Sequence, residues 1–225
     1  MTTFPQRFDV RVKRPVPDKA IFWPTAIGYG DQPQLNADST RFPELRAIKA
    51  RNNAKSVEPL VEFVKAAQEA LDRILILDEY LFKPPEGTFQ IRVKQVLSWF
   101  PNSLVAKDVR VLTASIGDSD TETDIIKRFE ERATQINRAG PYNSGHVIEV
   151  QFTLKKNFPY VHDRFAIIDD ELWHFGATVG GLHEHVNAAT RGWVVDDHNG
   201  LSFFETAWTG DRDMGRSLSK PTRQR

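Results

Sequence analysis

The chain of 225 residues contains no cysteine. Disulfide bonds, thiolate metal ligands and a nucleophilic thiol are therefore excluded. The chain also lacks a net charge, because 30 basic residues balance 30 acidic ones. No overall field attracts nucleic acid or an anionic membrane, so any affinity for phosphate must come from a local patch.

Long apolar runs are missing as well. No stretch approaches the roughly 20 apolar residues of a membrane-spanning helix. The first residues, MTTFPQRFDVRVKRPVPDK, lack the apolar segment of a signal peptide. Hydrophobic residues make up 40% of the chain and charged residues 27%, as is typical of a globular protein with a core. We expect a cytoplasmic protein built around one domain.

Three regions differ in composition. Residues 1–55 hold six of the thirteen prolines, which exclude a long helix or a central strand. Phe22 and Trp23 make this arm too apolar for a free tail, so we expect it to lie against the domain or against a partner chain. Residues 56–210 carry the regular patterns of a folded domain. Residues 211–225 are basic and poor in apolar residues, and we predict that they are disordered.

Helices alternate with strands in the first part of the domain. Apolar residues recur at helical spacing within 57–71, 89–100 and 121–136. The short apolar runs at 74–82 and 109–115 are typical of buried strands. Helices between strands imply crossover connections, and crossovers imply a parallel arrangement of those strands.

The second part of the domain is richer in strands. Tight turns such as Asp169-Asp170-Glu171 indicate hairpins, and Asp196 to Gly200 also fits a hairpin turn. The predicted strands are HVIEVQFTL, VHDRFAIID, ELWHFGATV and RGWVVDD, and LSFFETAW fits either a strand or the start of a helix. The predicted fold class is therefore α/β, with a mixed β-sheet flanked by helices.

His162 and Arg164 are the first candidate site residues. They lie two positions apart in VHDRFAII, so a strand would place both side chains on one face. A guanidinium offers forked donors that match phosphate oxygens, and a neutral imidazole can attack phosphorus or transfer a proton. Spacing by itself favours a plainer alternative, which is a histidine hydrogen-bonded at the edge of a strand.

The stretch HDRFAIIDDELWHFGAT resembles the signature of the phospholipase D superfamily, H-x-K-x-x-x-x-D followed after six residues by G-S-x-N. His162 and Asp169 fall on the histidine and aspartate of that pattern, and Gly176 on its glycine. The resemblance implies a phospholipase D-like fold and a histidine nucleophile that forms a phosphohistidine without a metal or other cofactor. Family members pair two such motifs, whereas this chain has one. The resemblance therefore implies a homodimer in which two copies of His162 act as nucleophile and general acid.

The chain departs from the family pattern at three positions. Arg164 stands at the lysine, Ala177 at the serine and Val179 at the asparagine. Arg164 keeps the positive charge, but two polar groups that would bind phosphate are missing. Thr178 lies between them and could donate one hydrogen bond to a phosphate.

Further site residues follow from the resemblance. Asn187 lies near the family's second asparagine, and Arg191 occupies the region where an acidic residue usually orients the histidine. We treat both as candidate phosphate ligands. Asp169 and Glu205 join His162 and Arg164 as candidate catalytic residues, and Glu205, or Asp197 in its place, is the candidate acid that orients His162.

A second resemblance favours a different function. The strands LILDEYLF, VRVLTAS and IEVQFTL, with the following VHDR, look like those of the C-terminal domain of eukaryotic MIT-domain proteins. That domain is phospholipase D-like, is regarded as non-catalytic and binds membrane phosphoinositide. Two hypotheses therefore stand. One is a metal-independent phosphodiesterase, favoured as a nuclease. The other is a degenerate module that binds phosphate groups of nucleic acid or anionic lipid.

Two other clusters of polar residues are weaker candidates for a functional site. His174, His183 and His185 have spacing that zinc sites can use, but the last two lie in one short loop segment, so no metal site is predicted. Asp78 and Glu79 end a predicted strand, which is where α/β sheets place their ligands. A cap or a salt bridge is the favoured interpretation of this acidic pair.

Overall fold

The computed structural model describes residues 14–22, 58–83, 89–140, 145–181 and 188–211. Its strands are β1 (Ala20–Phe22), β2 (Arg73–Leu77), β3 (Asp108–Leu112), β4 (Val147–Gln151), β5 (Phe165–Ile168), β6 (Glu171–Phe175) and β7 (Ala189–Val194). Its helices are α1 (Glu58–Gln68), α2 (Phe89–Leu97), α3 (Ser119–Ala139), α4 (Leu154–Asn157) and α5 (Gly200–Thr209).

The described strands form one sheet in the order β1-β7-β6-β5-β2-β3-β4. The strands β2, β3 and β4 are parallel to one another. The strands β5, β6, β7 and β1 each pair with their neighbours antiparallel. The prediction of a mixed sheet flanked by helices is confirmed, because α2 and α3 are the crossovers between the parallel strands.

Local sequence explains the central elements. In β2 four of the five residues, from Ile74 to Leu77, are buried, as expected of a strand covered on both faces. Asp118 caps the N-terminus of helix α3, and its side chain accepts a hydrogen bond from the N–H of Asp120. Its buried residues recur at helical spacing and are Ile125, Phe129, Ala133 and Ile136.

Two apolar cores lie on opposite faces of the sheet. The larger one includes residues of α1, α2 and α3, with Phe63 near its centre. The Phe63 ring meets those of Trp99, Trp173 and Phe175 edge-on, at centroid distances of 5.2, 5.8 and 5.3 Å. The smaller core joins the sheet to α5 through residues such as Phe204 and Ala207.

The N-terminal arm lies against the domain where it is described. Strand β1 pairs with β7, and the Phe22 ring stacks on Trp173 at 5.8 Å. Arg14 Nη2 also meets Glu69 Oε2 at 2.8 Å. The rest of the arm and the basic tail at 212–225 lie outside the described residues, so the disorder predicted for the tail stays a prediction.

One local prediction is wrong. The residues Asp196–His198 form a 3₁₀ turn and Asn199 takes a left-handed conformation before α5, so this segment is not a hairpin turn. The following LSFFETAW lies in helix α5, which agrees with the helical alternative predicted for it. The short helix α4, which lies between β4 and β5 in the chain, was not predicted.

The strand directions define two ends of the sheet. Leu77 at the end of β2 pairs with Phe165 at the start of β5, and Ile74 pairs with Ile168. We call the end marked by Leu77 and Phe165 the upper end and the end marked by Arg73 and Ile168 the lower end. The parallel strands β2, β3 and β4 all finish at the upper end, so the loops that follow them meet there.

Candidate functional site

His162 lies at the upper end of the sheet, just before β5. Its side chain is 71% exposed, and its Nδ1 atom lies 2.8 Å from Oε1 of Glu79. An Nδ1–H donated to this carboxylate leaves the lone pair of a neutral imidazole on Nε2. Within the described residues Nε2 has no hydrogen-bond partner, and the side chain is mostly open to solvent.

Glu79 is the acidic residue that contacts His162. Its side chain is only 4% exposed, and its second oxygen lies 2.5 Å from Nζ of Lys155. Burial raises the pKa of Glu79, but the hydrogen bonds from Lys155 and His162 more than offset this effect, so the pKa lies below its ordinary value. The carboxylate is therefore ionised at neutral pH and can stabilise a positive charge that develops on the imidazole.

Lys155 holds the chain segment that leads to His162. Its ammonium donates to the carbonyl of Val161 at 2.7 Å and to that of Pro159 at 3.3 Å, in addition to Glu79. Lys155 lies in helix α4. One of its three acceptors, Glu79, follows β2, and the other two are backbone carbonyls in the loop before β5. One side chain thus fixes both the acid that orients His162 and the backbone that carries it.

Arg164 lies beside two carboxylates without a close bond to either. Its Nε atom is 3.8 Å from Oδ1 of Asp78, and its Nη2 atom is 3.9 Å from Oε1 of Glu79. The guanidinium stands 5.0 Å from the ring centre of Tyr80. Its buried Nε has no hydrogen-bond partner in the described part of the chain. These distances exceed those of hydrogen bonds, so among the described residues no acceptor occupies the donors of Arg164, which match an oxyanion such as phosphate.

Asp78 joins the end of β2 to the turn after β6. Its carboxylate is fully buried and accepts hydrogen bonds from the N–H groups of Tyr80 and Val179, each at 2.8 Å. Burial raises the pKa of Asp78 to about 6, against the lowering effects of these bonds and of Arg164 and Arg92. Asp78 thus has the capping role that the sequence favours for the acidic pair, because it binds backbone N–H groups. Glu79 instead contacts His162.

Thr178 belongs to the same end of the sheet. It directly precedes Val179, whose N–H is bonded to Asp78. Its Oγ1 is buried and, like that of Thr113 at the end of β3, has no hydrogen-bond partner among the residues described. A buried hydroxyl without a partner is unfavourable, so both threonines have spare capacity for a ligand. Ala177 is buried, and Val179 is completely so.

Asp169 does not lie beside His162. It sits at the lower end, in the turn between β5 and β6, with a positive φ of 56°. Its carboxylate accepts hydrogen bonds from the N–H groups of Leu71, Asp72 and Arg73 at 3.0, 2.7 and 3.3 Å. The strand between the histidine and the aspartate separates them along its whole length, so Asp169 has a structural role.

Arg191 and Glu205 are also placed away from His162. Arg191 forms a bidentate pair with Glu171, at 2.6 and 2.7 Å, near the lower end of β6. Glu205 on α5 accepts two hydrogen bonds from Arg110, at 2.9 and 2.7 Å. The acid that contacts His162 is therefore Glu79, and neither Glu205 nor Asp197 takes that place. Asp197 belongs to the 3₁₀ turn after β7.

Some predicted residues lie outside the description. Asn187, His183 and His185 fall in the gap between residues 181 and 188, so their predicted roles stay predictions. Within the described ranges no group of three histidine, aspartate or glutamate residues is arranged to hold a metal ion. None of the described helices combines the length and apolar character that a bilayer crossing requires.

Sequence reasoning missed Lys155 and underrated Glu79. The signal for Glu79 was its place at the end of a buried strand, where the loops of parallel strands meet. Lys155 gave no comparable signal. It lies in the short TLKKN segment, which directly follows a predicted strand and has no helical pattern of its own.

No family model matches the chain, and no curated protein does. Solved structures match at low similarity. Nuc from Salmonella typhimurium, a phospholipase D family member, shares 16% identity at a TM-score of 0.43, covering 70% of this chain and 91% of its own. NucT from Helicobacter pylori shares 13% at 0.44, covering 86% and 96%. Phosphatidylserine synthase from Haemophilus influenzae shares 14% at 0.41, covering 75% and 38%.

The matched structures include phospholipase D family members, as the resemblance in the sequence predicts. Identities of 13–16% and TM-scores below 0.5 support no residue role or activity for this chain.

Proposed function

We propose that the protein is a phosphodiesterase in which His162 is the nucleophile. The observation that carries the proposal is the contact between Nδ1 of His162 and the buried carboxylate of Glu79 at 2.8 Å, with the other side of the ring exposed. A base oriented in this way by a third group is the general arrangement of an activated nucleophile. Arg164 lies beside the same carboxylate, where its free donors meet the phosphate.

The reaction proceeds in two balanced steps. In the first, Nε2 of His162 attacks phosphorus, a P–N bond forms, and the P–O bond to the leaving alcohol breaks as that oxygen takes up a proton. In the second, water attacks the phosphohistidine, the P–N bond breaks, and the proton lost by water passes to the general base. The products are an alcohol and a phosphate monoester, and the nucleophile is regenerated.

The charges around the site suit an anionic substrate. Lys155 balances the charge of Glu79, so the carboxylate that orients His162 does not act as an uncompensated negative charge near the phosphate. Arg164 then supplies a cation with unused donors, and Thr178 supplies a buried hydroxyl without a partner among the described residues. These two residues are the proposed phosphate ligands.

The proton donor in this proposal comes from a second copy of the chain. One chain carries one HDR motif, and a phosphodiester cleavage of this kind needs both a nucleophile and an acid. His162 of the partner subunit fills the second role in a two-fold dimer. The exposure of His162, at 71%, leaves its face open to such an approach. A protein that stays monomeric at micromolar concentration in light scattering, yet turns over, would contradict this part.

The test of the function is cleavage in the presence of a chelator. Wild type, His162→Ala and the control His198→Ala are incubated with single-stranded DNA, duplex DNA, RNA and bis(p-nitrophenyl) phosphate. His198 is an exposed histidine in the turn after β7, so its loss leaves turnover unchanged. We expect cleavage that survives the chelator and disappears with His162→Ala, while bound substrate is retained. Arg164→Ala weakens binding as well, by about 1.5–3 kcal/mol.

A second candidate function has its own support. Ala177 and Val179 are buried and apolar at positions where the motif has polar phosphate ligands, which fits a site that binds phosphate without cleaving it. In that case no substrate is cleaved, but nucleic acid or anionic vesicles are retained in an Arg164-dependent manner. Retention that is equal in wild type and Arg164→Ala would argue against both functions at this site.

A further inference from the structure

Tyr160 is a solvent-exposed aromatic residue close in sequence to the proposed nucleophile. It lies two residues before His162, and 66% of it is exposed. An exposed tyrosine on a loose loop would have no particular meaning. The position of this one, however, is fixed by several contacts of its neighbours.

The backbone on both sides of Tyr160 is tied to one side chain. Lys155 Nζ donates to the carbonyl of Pro159 at 3.3 Å and to that of Val161 at 2.7 Å. The same ammonium meets the buried Glu79, which contacts His162. The segment that presents Tyr160 is therefore anchored to the group that orients the nucleophile.

The ring of Tyr160 also rests on a packed base. It meets the Phe158 ring edge-on, with centroids 6.4 Å apart. Phe158 in turn packs on Phe203 at 6.0 Å, and this residue packs against the core between the sheet and α5. Tyr160 thus packs on a chain of aromatic contacts that reaches the core, and it still leaves most of its surface to solvent.

An exposed aromatic ring that packs on Phe158 and lies two residues before the proposed nucleophile is suited to stacking on a nucleobase. Stacking of one base on an aromatic side chain contributes about 1–3 kcal/mol and tolerates any sequence, because every base has a π-face. In a duplex both faces of a base are covered by its neighbours, so only an unpaired base can stack in this way. A second ring, Tyr80, is 36% exposed and carries the Arg164 guanidinium 5.0 Å from its centre.

We propose that Tyr160 is a base-stacking residue and that the substrate is single-stranded nucleic acid. This inference rests on the proposed phosphodiesterase function and names its substrate class. Arg164 holds the phosphate in this arrangement, and Tyr160 holds a base attached to the same strand. Tyr160 acts on substrate choice and has no part in the chemical step.

The test compares a substrate that has bases with one that has none. The kcat/KM values of wild type, Tyr160→Ala and Tyr160→Phe are measured on a single-stranded oligonucleotide and on an abasic strand of the same length. We expect Tyr160→Ala to lower kcat/KM on the oligonucleotide by roughly 5- to 150-fold and to leave kcat/KM on the abasic strand unchanged. Tyr160→Phe keeps the ring and retains wild-type values. Val105→Ala, which removes an exposed apolar side chain before β3, is the control and changes neither.

Several outcomes would overturn the inference. One is an equal loss on both substrates, since it assigns Tyr160 to the structure of the site. Another is an unchanged Tyr160→Ala, and a third is a preference for duplex over single-stranded DNA. Absence of turnover on every substrate contradicts the proposed function instead. Fluorescence anisotropy then decides separately, because Tyr160-dependent binding of the oligonucleotide supports the stacking role, whereas Tyr160-dependent binding of anionic vesicles alone refutes it.

Discussion

The two ends of the sheet use charged residues in different ways. At the lower end they are closely paired. Asp169 accepts three backbone hydrogen bonds of 3.3 Å or less, and Arg191 grips Glu171 with two bonds of 2.6 and 2.7 Å. At the upper end Arg164 stands 3.8 and 3.9 Å from the carboxylates of Asp78 and Glu79. At the lower end the charged groups are hydrogen-bonded within the protein, whereas at the upper end Arg164 can still bind a ligand.

Buried polar atoms without a hydrogen-bond partner occur at both ends of the sheet. Within the described residues, three are at the upper end, namely Arg164 Nε, Thr113 Oγ1 and Thr178 Oγ1. Arg73 Nε and His146 Nε2 are at the lower end, and Trp173 Nε1 is within β6. The Arg73 guanidinium still bonds to Asp170 at 3.2 Å, whereas the three atoms at the upper end lie on residues that contact or adjoin the candidate site.

The largest expected effect concerns the acid that orients the nucleophile. Glu79→Gln keeps the size of the side chain but removes the charge that stabilises the imidazole. If the proposed function holds, kcat falls by about 10²- to 10⁴-fold, as measured in steady-state assays on a phosphodiester. Glu149→Gln, at an exposed position of β4, serves as the matched control. A Glu79→Gln enzyme within threefold of wild type would remove Glu79 from the mechanism.

The next effect is a pH dependence of stability that originates at Asp78. The folded-state pKa of about 6 lies above the ordinary value of 3.8, so the folded protein holds more protons than the unfolded chain between these values. Stability contributed by Asp78 is present at low pH and decreases by about 3 kcal/mol as pH rises from about 4 to 6. Urea unfolding at pH 4, 5, 6 and 7 measures this change. Asp78→Asn flattens it, and parallel curves for the two proteins would contradict the prediction.

At the lower end, Asp169→Ala should reduce stability without affecting chemistry. The change leaves three backbone N–H groups without their acceptor, and we expect the free energy of unfolding to fall by about 2–3 kcal/mol. Asp169→Asn keeps one acceptor oxygen and tolerates the positive φ, so its loss is smaller. Activity per folded molecule stays at the wild-type level in both. A fully stable Asp169→Ala that loses turnover would reverse the division between the two ends.

The smallest effect is expected for Glu205→Ala. Arg110 keeps its two bonds of 2.9 Å to Asp108 when Glu205 is removed, so we expect a loss of about 1 kcal/mol or less. Chemical denaturation measures the stability, and the phosphodiesterase assay shows unchanged kcat. A large loss of kcat would restore Glu205 as a candidate for orienting His162.

Local patterns predicted much of the fold because they depend on residues close together in the chain. Helical spacing identified α1, α2 and α3, and short apolar runs identified β2 and β3. The same reasoning left LSFFETAW open between a strand and the start of a helix, because this brief apolar run carries no period that separates the two. It missed α4, which is a single turn of four residues.

The candidate site also has a part that local sequence predicts and a part that it does not. The sequence by itself determined that His162 and Arg164 lie close together, since they are two residues apart. Only the tertiary structure decided that Glu79, 83 residues away, orients His162. It did so because β2 and β5 are antiparallel neighbours, which brings the end of one to the start of the other. The same register carries Asp169 to the lower end. Spacing along a chain specifies which side chains share a strand, whereas the order of strands in the sheet specifies which of them meet.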